Sequence, residues 1–233
     1  MKKKKPEKQY PKVMIGIPTY EKKDYCLKDL LKALNKIKYP NFDIVFCDSS
    51  SSMEYYEKLK KLGLTVLKSQ HYNLDKRINL RDCRRALRVY FLNNKYDYFL
   101  SLESDNIPPS NVIELLLKHD KRVVGGWYTL RSGVPSVSLK GPFESGNRLI
   151  IPEIGRQSEI FKVFMMGLGC VLIKREVLEK INFTVEKHYS DGNEAYWYDD
   201  VFFYLNCQKI NLSCYVLKEL RISHHIDEST ILN

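Results

Sequence analysis

Apolar positions follow two different periods in the first half of the chain. Short continuous apolar runs predict four buried strands, at 13–17, 42–47, 64–67 and 98–102. Between them, apolar residues recur at helical spacing and predict three helices: 27–37, 53–62 and one containing Cys83, Leu87, Tyr90 and Phe91. This alternation predicts an α/β fold with a mostly parallel central sheet and helices on both faces.

The pattern changes near residue 120. From Val123 onward, glycine and proline separate short segments, as in hairpins and loops, before a predicted helix at 201–209 and a predicted strand at 212–216. We therefore expect a disordered tail at 1–9 followed by a single domain with two functional halves, residues 10–120 and 121–233. A smaller, mixed β region is expected in the second half.

The composition favours a soluble domain that folds alone. Of the 233 residues, 44% are hydrophobic, and no apolar run approaches the roughly 18 residues of a membrane span. The six cysteines form no CxxC pair and mostly lie in apolar runs. We interpret them as small buried hydrophobes in a reducing cytoplasm.

The net charge is +10, from 38 Lys and Arg against 28 Asp and Glu. Such a balance is compatible with nucleic acid, an anionic membrane face or simply frequent lysine codons. The chain has no basic stripe interleaved with aromatic residues and no nucleic-acid motif, so we expect no nucleic-acid partner. The lysines at 2–5 can give the tail peripheral contact with an anionic membrane.

Two carboxylates directly follow the fourth predicted strand. Glu103 and Asp105 are spaced i, i+2, so they leave the strand on the same side. There they can hold a hard divalent cation against a diphosphate. The alternative is a solvated turn or a helix cap, because the prolines at 108 and 109 can open a helix just downstream.

Polar residues also follow the first two predicted strands. The first strand ends in Pro18, Thr19, Tyr20 and Glu21, and the second ends in Asp48 before four serines. Ligands of parallel sheets bind at the carboxyl ends of the strands, so a nucleotide base and ribose can lie here. Tyr20 can pack on the base and Asp48 can accept a hydrogen bond from it or from the ribose. Alternatively, Asp48 belongs to a helix cap.

Four segments occur in a recognisable order: Ile-Gly-Ile-Pro-Thr-Tyr at 15–20, Phe-Cys-Asp-Ser-Ser at 46–50, Arg81 with Arg84, and Leu-Glu-Ser-Asp-Asn at 102–106. Together they resemble the motifs of GT-A glycosyltransferases, especially the inverting family 2. The resemblance implies a Rossmann-like GT-A fold in which the acidic strand end, the DxD motif, binds Mn²⁺ or Mg²⁺ and a sugar nucleotide's diphosphate. The first acid is Glu103 here, and the family pattern favours Asp105 as the metal ligand.

The resemblance extends through the second half of the chain. Gly167 and Gly169 match a Gly-rich strand on which substrate approaches the main chain, although a bulge or tight turn would also require glycine. Asp199 and Asp200 match an acidic pair at the start of the family's late helix, which implies that Asp200 is the catalytic base and that Asp199 orients the acceptor or the base. Alternatively, both acids merely favour the helix dipole.

A pair of histidines, His224 and His225, stands where many such enzymes place a histidine near the metal or the diphosphate. The spacing makes His225 the slightly stronger match. An imidazole ligand suits Mn²⁺ better than Mg²⁺.

The implied reaction is metal-dependent, inverting transfer of a sugar from a nucleotide-diphosphate sugar to a hydroxyl group. A UDP-sugar is favoured, a GDP-sugar is possible, and the acceptor can be a glycan, a lipid-linked molecule or a protein. The helix start should keep Asp200 ionised and lower its basicity. The aromatic residues at 127–128 and 196–198 are assigned to the acceptor side. Residues assigned to the donor are Pro18, Thr19, Tyr20, Glu21, Asp48, Arg81, Ser104, Gly167 and Gly169.

Two other classes compete with this interpretation. A nucleotidyltransferase shares the α/β plan and the metal carboxylates, but it would need a Gly-rich basic loop after the first strand, and residues 18–23 contain no glycine. A non-catalytic nucleotide- or carbohydrate-binding module is the second, against which the joint presence of Asp105, Asp200 and His225 argues.

Overall fold

The computed structural model describes residues 10–70, 72–141, 149–190 and 193–233, so the predicted tail at 1–9 lies outside it. The strands are β1 Val13–Thr19, β2 Phe42–Asp48, β3 Thr65–Lys68, β4 Tyr98–Leu102, β5 Asn106–Ile107, β6 Val123–Trp127, β7 Val137–Ser138, β8 Ile160–Val163, β9 Met165–Met166, β10 Cys170–Lys174, β11 Lys187–Ser190, β12 Asn193–Tyr196, β13 Cys214–Arg221, β14 Ser223–His225 and β15 Ile231–Leu232. The helices are α1 Asp24–Leu34, α2 Glu54–Lys61, α3 Lys76–Asn93, α4 Val112–Leu117, α5 Ile151–Gly155, α6 Arg175–Lys180 and α7 Asp199–Lys209.

Eight strands form the central sheet in the order β3-β2-β1-β4-β10-β6-β13-β8. Strands β1 to β4, β6 and β13 run in one direction, while β10 and β8 are antiparallel to their neighbours. The α/β class and the mostly parallel sheet are therefore confirmed. Small antiparallel sheets, whose strands other than β5 lie in the second half, accompany the central sheet.

Helices cover both faces of the central sheet. Along β1, Ile15 and Ile17 pack into the apolar layer beneath α1, α2 and α4, whereas Met14 packs into the layer beneath α3, α6 and α7. This division follows from the two-residue period of a strand, which sends successive side chains to opposite faces. Continuous apolar runs such as β1 are therefore buried on both sides.

Element boundaries differ from the predicted ones chiefly in the second half. The strand predicted at 212–216 begins at Cys214 and continues to Arg221, because it pairs with β6 on one side and β8 on the other. Its polar last residues hide that extension in the sequence. Strand β5 comes just before the two prolines, and a turn follows them before α4 begins at Val112.

All six cysteines are buried and unpaired, as the sequence predicts for small core residues. Within the residues that the structure describes, no helix combines the length and the apolar character that crossing a bilayer requires.

Candidate active site

Three neighbouring strands end at one edge of the sheet and carry the residues predicted to bind the donor. Thr19, the last residue of β1, lies opposite Asp48, the last residue of β2, and β4 ends beside them at Leu102. The backbone N–H of Glu21 donates to Ser50 Oγ at 2.9 Å, which joins the turns after β1 and β2. The structure thus brings together the two turns predicted to hold the nucleoside, with Tyr20 half-buried and Pro18 buried.

Asp105 lies at the centre of this edge and is only 6% exposed. Its Oδ2 forms an ion pair with Lys23 Nζ and lies 3.5 Å from His224 Nε2. Burial raises the pKa of Asp105, but His224 and Lys23 outweigh it, and the net pKa is lowered. We call Asp105, Lys23 and His224 the Asp105 cluster.

The small sheet β15-β14-β5 brings the histidine pair to Asp105. His224 faces the carboxylate, while His225 contributes its backbone N–H, which donates to the Asp105 carbonyl at 2.8 Å. Strand alternation directs the two rings to opposite sides. The sequence preference for His225 is therefore reversed: in this geometry His224 is the candidate metal ligand.

The ring of His224 is oriented by its other nitrogen. His224 Nδ1 lies 2.8 Å from the carbonyl oxygen of Thr129, so Nδ1 carries the hydrogen and donates it. Nε2 then faces Asp105 Oδ2, as is usual for a metal-binding imidazole held by a second partner. Burial lowers the pKa of His224, but Asp105 and the Thr129 carbonyl raise it above its usual value.

Glu103 and Asp105 form ion pairs with different residues. Arg84, only 1% exposed, donates from Nη2 to Glu103 Oε1 and from Nη1 to Asp199 Oδ1, both at 2.5 Å. Burial lowers the pKa of Arg84, but the two carboxylates outweigh it, and the guanidinium stays charged. We call Glu103, Arg84 and Asp199 the Arg84 network. It assigns Glu103 to a structural ion pair.

Arg81, which the sequence analysis assigned to the donor, instead pairs with its neighbour Asp82 at 2.8 Å. The residue that reaches the site is Arg84, quoted in the motif but given no role. One signal was available: Arg84, Leu87 and Phe91 share one face of α3 at i, i+3 and i+7, and all three are buried. An arginine on an apolar stripe must be paired, which predicts a buried acidic partner.

The two adjacent aspartates of α7 have different environments. Asp199 is fully buried in the Arg84 network, whereas Asp200 is half-buried, and its Oδ1 accepts only the N–H of Val201 at 2.7 Å among the described residues. Burial, followed by the charge of Asp199, raises the pKa of Asp200 to about 6. The helix-start argument predicted the opposite direction, because it left out desolvation, which is the larger effect here.

Asp48 is fully buried and both of its carboxylate oxygens are engaged. Oδ1 accepts from Ser50 Oγ at 2.5 Å and from the Ser50 N–H at 2.9 Å, while Oδ2 pairs with Lys68 Nζ at 2.7 Å. Asp48 therefore braces the loop after β2, and the cap of α2 at Met53 uses no side chain. A direct contact with a base would require Lys68 to move.

Gly167 and Gly169 allow two side chains to approach the backbone closely. A Cβ on Gly167 would lie 2.1 Å from Tyr128 Oη, and one on Gly169 would lie 2.0 Å from Asn106 Nδ2. Asn106 is fully buried, and neither atom of its side-chain amide has a hydrogen-bond partner in the described part of the chain. Ser104 is also buried, and its carbonyl accepts from Cys26 Sγ at 3.1 Å.

The predicted acceptor aromatics divide between core and site. Trp127 is buried, and its Nε1 donates to the Lys218 carbonyl at 2.8 Å, so it is a core residue rather than a sugar-stacking one. Tyr128 lies edge-on to His224, with ring centroids 5.1 Å apart. Tyr198 is exposed, with Arg77 over its ring. The side chain of Tyr196 lies outside the described residues.

The oxygen and nitrogen ligands that Asp105 and His224 offer fit a divalent cation that completes its coordination with water and phosphate oxygens. Oδ2 and His224 Nε2 converge at 3.5 Å, and Mn²⁺ accepts this combination of oxygen and nitrogen. Within the described residues, no three or more His, Cys, Asp or Glu side chains are grouped so that they could hold a metal ion. Among those residues, Asp105 and His224 are the two that would hold a metal here.

The sequence model of glycosyl transferase family 2 matches residues 14–182, and the chain belongs to this family. This match agrees with the motifs at the sheet edge and removes support from the nucleotidyltransferase and non-catalytic interpretations. A comparison with the curated proteins found no significant match.

Solved structures share the fold at low sequence identity. A197 from STIV is 20% identical over 95% of this chain and 93% of its own, with a TM-score of 0.54. The 1–349 fragment of S. aureus TarS is 18% identical over 91% of this chain, with a TM-score of 0.56; this fragment was also solved with UDP-GlcNAc. GalNAc-T7, solved with UDP, GalNAc and Mn²⁺, is 13% identical over 94% of this chain, with a TM-score of 0.68. The chain spans 59% of the TarS fragment and 44% of GalNAc-T7. These likenesses establish the GT-A fold.

Proposed function

We propose that this glycosyltransferase moves a sugar from a nucleotide-diphosphate sugar to a hydroxyl acceptor with inversion, using Mn²⁺ or Mg²⁺. One observation carries the proposal: two different groups lie at the same sheet edge. The first is the pair of Asp105 and His224, which suits a cation. The second is Asp200, which forms no ion pair among the described residues. UDP is the favoured nucleotide, because the GalNAc-T7 and TarS structures contain UDP and UDP-GlcNAc.

Leaving-group departure and acceptor activation require opposite charges. The diphosphate gains negative charge as the sugar leaves, and a bound Mn²⁺ or Mg²⁺ would supply the neutralising positive charge. Asp105 and His224 would hold that cation. Asn106, whose buried amide has no hydrogen-bond partner among the described residues, is available to donate to an oxygen of the sugar nucleotide.

Asp200 is the proposed general base. With a pKa of about 6, it is mostly ionised at pH 7 yet more basic than an ordinary aspartate, so it accepts a proton from the acceptor hydroxyl more readily. Asp199 is held by Arg84 and would position the start of α7 rather than take a proton. A single displacement with Asp200 on the acceptor face would invert the anomeric configuration.

The decisive experiment measures UDP and GDP release from a panel of nucleotide sugars, with Mn²⁺, with Mg²⁺ and with EDTA. We expect metal-dependent release from at least one UDP-sugar, with metal-dependent nucleotide binding lost in Asp105→Asn and kept in a surface control, Asp29→Asn. Asp29 lies on the exposed face of α1 and pairs with Lys32. Equal UDP affinity with and without EDTA would contradict metal dependence, and a product of retained configuration would exclude single displacement.

We propose a cytoplasmic enzyme whose lysines at 2–5 bring it to an anionic membrane, where lipid-linked acceptors lie, at about 1 kcal/mol per basic residue near the surface. Deleting residues 1–8 should reduce sedimentation with phosphatidylserine liposomes without changing donor hydrolysis. Unchanged sedimentation would leave the tail without this role.

A further inference from the structure

Lys23 pairs with the same Asp105 oxygen that would hold a metal. It ends the short 3-10 turn Glu21–Lys23 that follows β1, and its Nζ pairs with Asp105 Oδ2. The same oxygen lies 3.5 Å from His224 Nε2. Ammonium and imidazole therefore meet at a single carboxylate oxygen.

A buried carboxylate needs a cation, and here Lys23 is that cation. The side chain of Asp105 is 8% exposed, too little for water to solvate a full negative charge, and the pair with Lys23 compensates for this. A divalent ion bound by Oδ2 and Nε2 would place a second positive charge beside the ammonium. Because like charges at such short range repel, the metal and Lys23 compete for Oδ2.

Lys23 has the freedom to leave, which Arg84 does not. Its side chain is 25% exposed on a flexible four-carbon stem, and its other polar neighbour is the hydroxyl of Tyr25 at 3.4 Å. Arg84 is fixed between two carboxylates. The turn that carries Lys23 is also joined to Ser50, where the donor's nucleoside is expected.

We propose that Lys23 is an exchangeable counter-cation: it neutralises Asp105 in the empty site and moves to the donor's diphosphate when the metal takes Oδ2. This inference rests on the proposed function and deepens it, because it assigns a diphosphate contact to a residue outside the predicted donor set. The exchange keeps each negative group paired before and after donor binding.

Replacing the ammonium with an uncharged side chain of similar length should therefore have two effects of opposite sign. In Lys23→Met, metal no longer has to displace the ammonium, so Mn²⁺ should bind the free protein about tenfold more tightly. With Mn²⁺ saturating, UDP should bind about tenfold more weakly, because the diphosphate loses a charge-assisted contact. A purely structural role for Lys23 would weaken both.

Electron paramagnetic resonance measures the Mn²⁺ affinity during a titration with Mn²⁺. Calorimetry measures the UDP affinity at saturating Mn²⁺. Lys28→Met is the matched control, because Lys28 is an exposed lysine on α1, and both affinities of this variant should equal wild type. Circular dichroism establishes that each variant is folded. If Lys23→Met fails to fold, Lys23→Gln takes its place in both titrations.

Mn²⁺ affinity in Lys23→Met that is unchanged or weaker than wild type, or UDP affinity that is unchanged, would overturn the exchange. The outcome is separable from failure of the proposed function. If wild-type protein binds UDP in a metal-dependent way but Lys23→Met lacks the opposed effects, only this inference fails. If wild-type protein binds neither Mn²⁺ nor UDP, the proposed function fails with it.

Discussion

The Arg84 network and the Asp105 cluster lie at the same sheet edge, but they differ in how their charges are paired. In the Arg84 network, a guanidinium that is 1% exposed holds two carboxylates through separate nitrogens. In the Asp105 cluster, one carboxylate oxygen faces both a flexible ammonium and an imidazole nitrogen. The first arrangement fixes β4 to α7, and the second leaves exchangeable positions for ligands.

The comparison shows why carboxylates close in sequence have different roles. Glu103 and Asp199 are bound to Arg84. Asp105, two residues after Glu103, and Asp200, next to Asp199, lie outside the Arg84 network. A substitution in the Arg84 network should therefore act mainly on stability, and a substitution outside it should act mainly on chemistry or binding.

The largest expected effect is on turnover in Asp200→Asn. Loss of the proposed general base should reduce kcat by about 10²–10⁴-fold with donor affinity nearly unchanged. The wild-type rate should rise with pH through about 6, as Asp200 loses its proton, and the variant should lack that rise. Steady-state kinetics with the identified donor from pH 5 to 8 measure both. Near-wild-type turnover in Asp200→Asn would show that the base is another residue.

Next in size is the destabilisation in Arg84→Met. Removing the guanidinium leaves Asp199 and Glu103 without a partner in a buried site, which typically costs about 3–5 kcal/mol. Arg81→Met, three residues away on α3 and partly exposed, should change the free energy of unfolding by less than about 1 kcal/mol. Urea denaturation measures both. Equal stabilities of the two variants would show that the Arg84 network does not stabilise the fold.

The third effect separates the two histidines. His224→Gln should weaken Mn²⁺ binding about 10–100-fold, whereas His225→Gln should leave it near wild type, because only His224 faces Asp105 Oδ2. Titration of both variants with Mn²⁺ tests this assignment. The opposite ranking would make His225 the ligand, as the sequence pattern predicts.

The smallest effect is a stability gain in Asp200→Asn. A folded-state pKa raised from 3.8 to about 6 means that the folded protein holds this proton more tightly than the unfolded chain. Wild-type stability is therefore lost as pH rises from about 4 to about 6. The variant should exceed wild type by about 1 kcal/mol at pH 7, after allowance for solvent screening of a half-buried group, and match it at pH 3.5. A gain of equal size at both pH values would point to a cause other than ionisation.

The period of the hydrophobic residues and the positions of glycine and proline were enough to determine the class of this fold. Strand runs such as β1 are apolar on both faces because helices cover both sides of the sheet, and that requirement is visible in the sequence as an uninterrupted run. The acids at 103, 105, 199 and 200 were likewise visible, because they follow or open regular elements.

Only the tertiary structure decided which of those acids are held by Arg84 and which are not. Arg84 reaches 115 residues along the chain to Asp199, and the small sheet that holds His224 comes from β5, β14 and β15. Desolvation of Asp200 likewise depends on what packs around the start of α7. Pairing and burial are properties of the assembled edge, and a local pattern contains neither the distance between distant residues nor the water excluded from them.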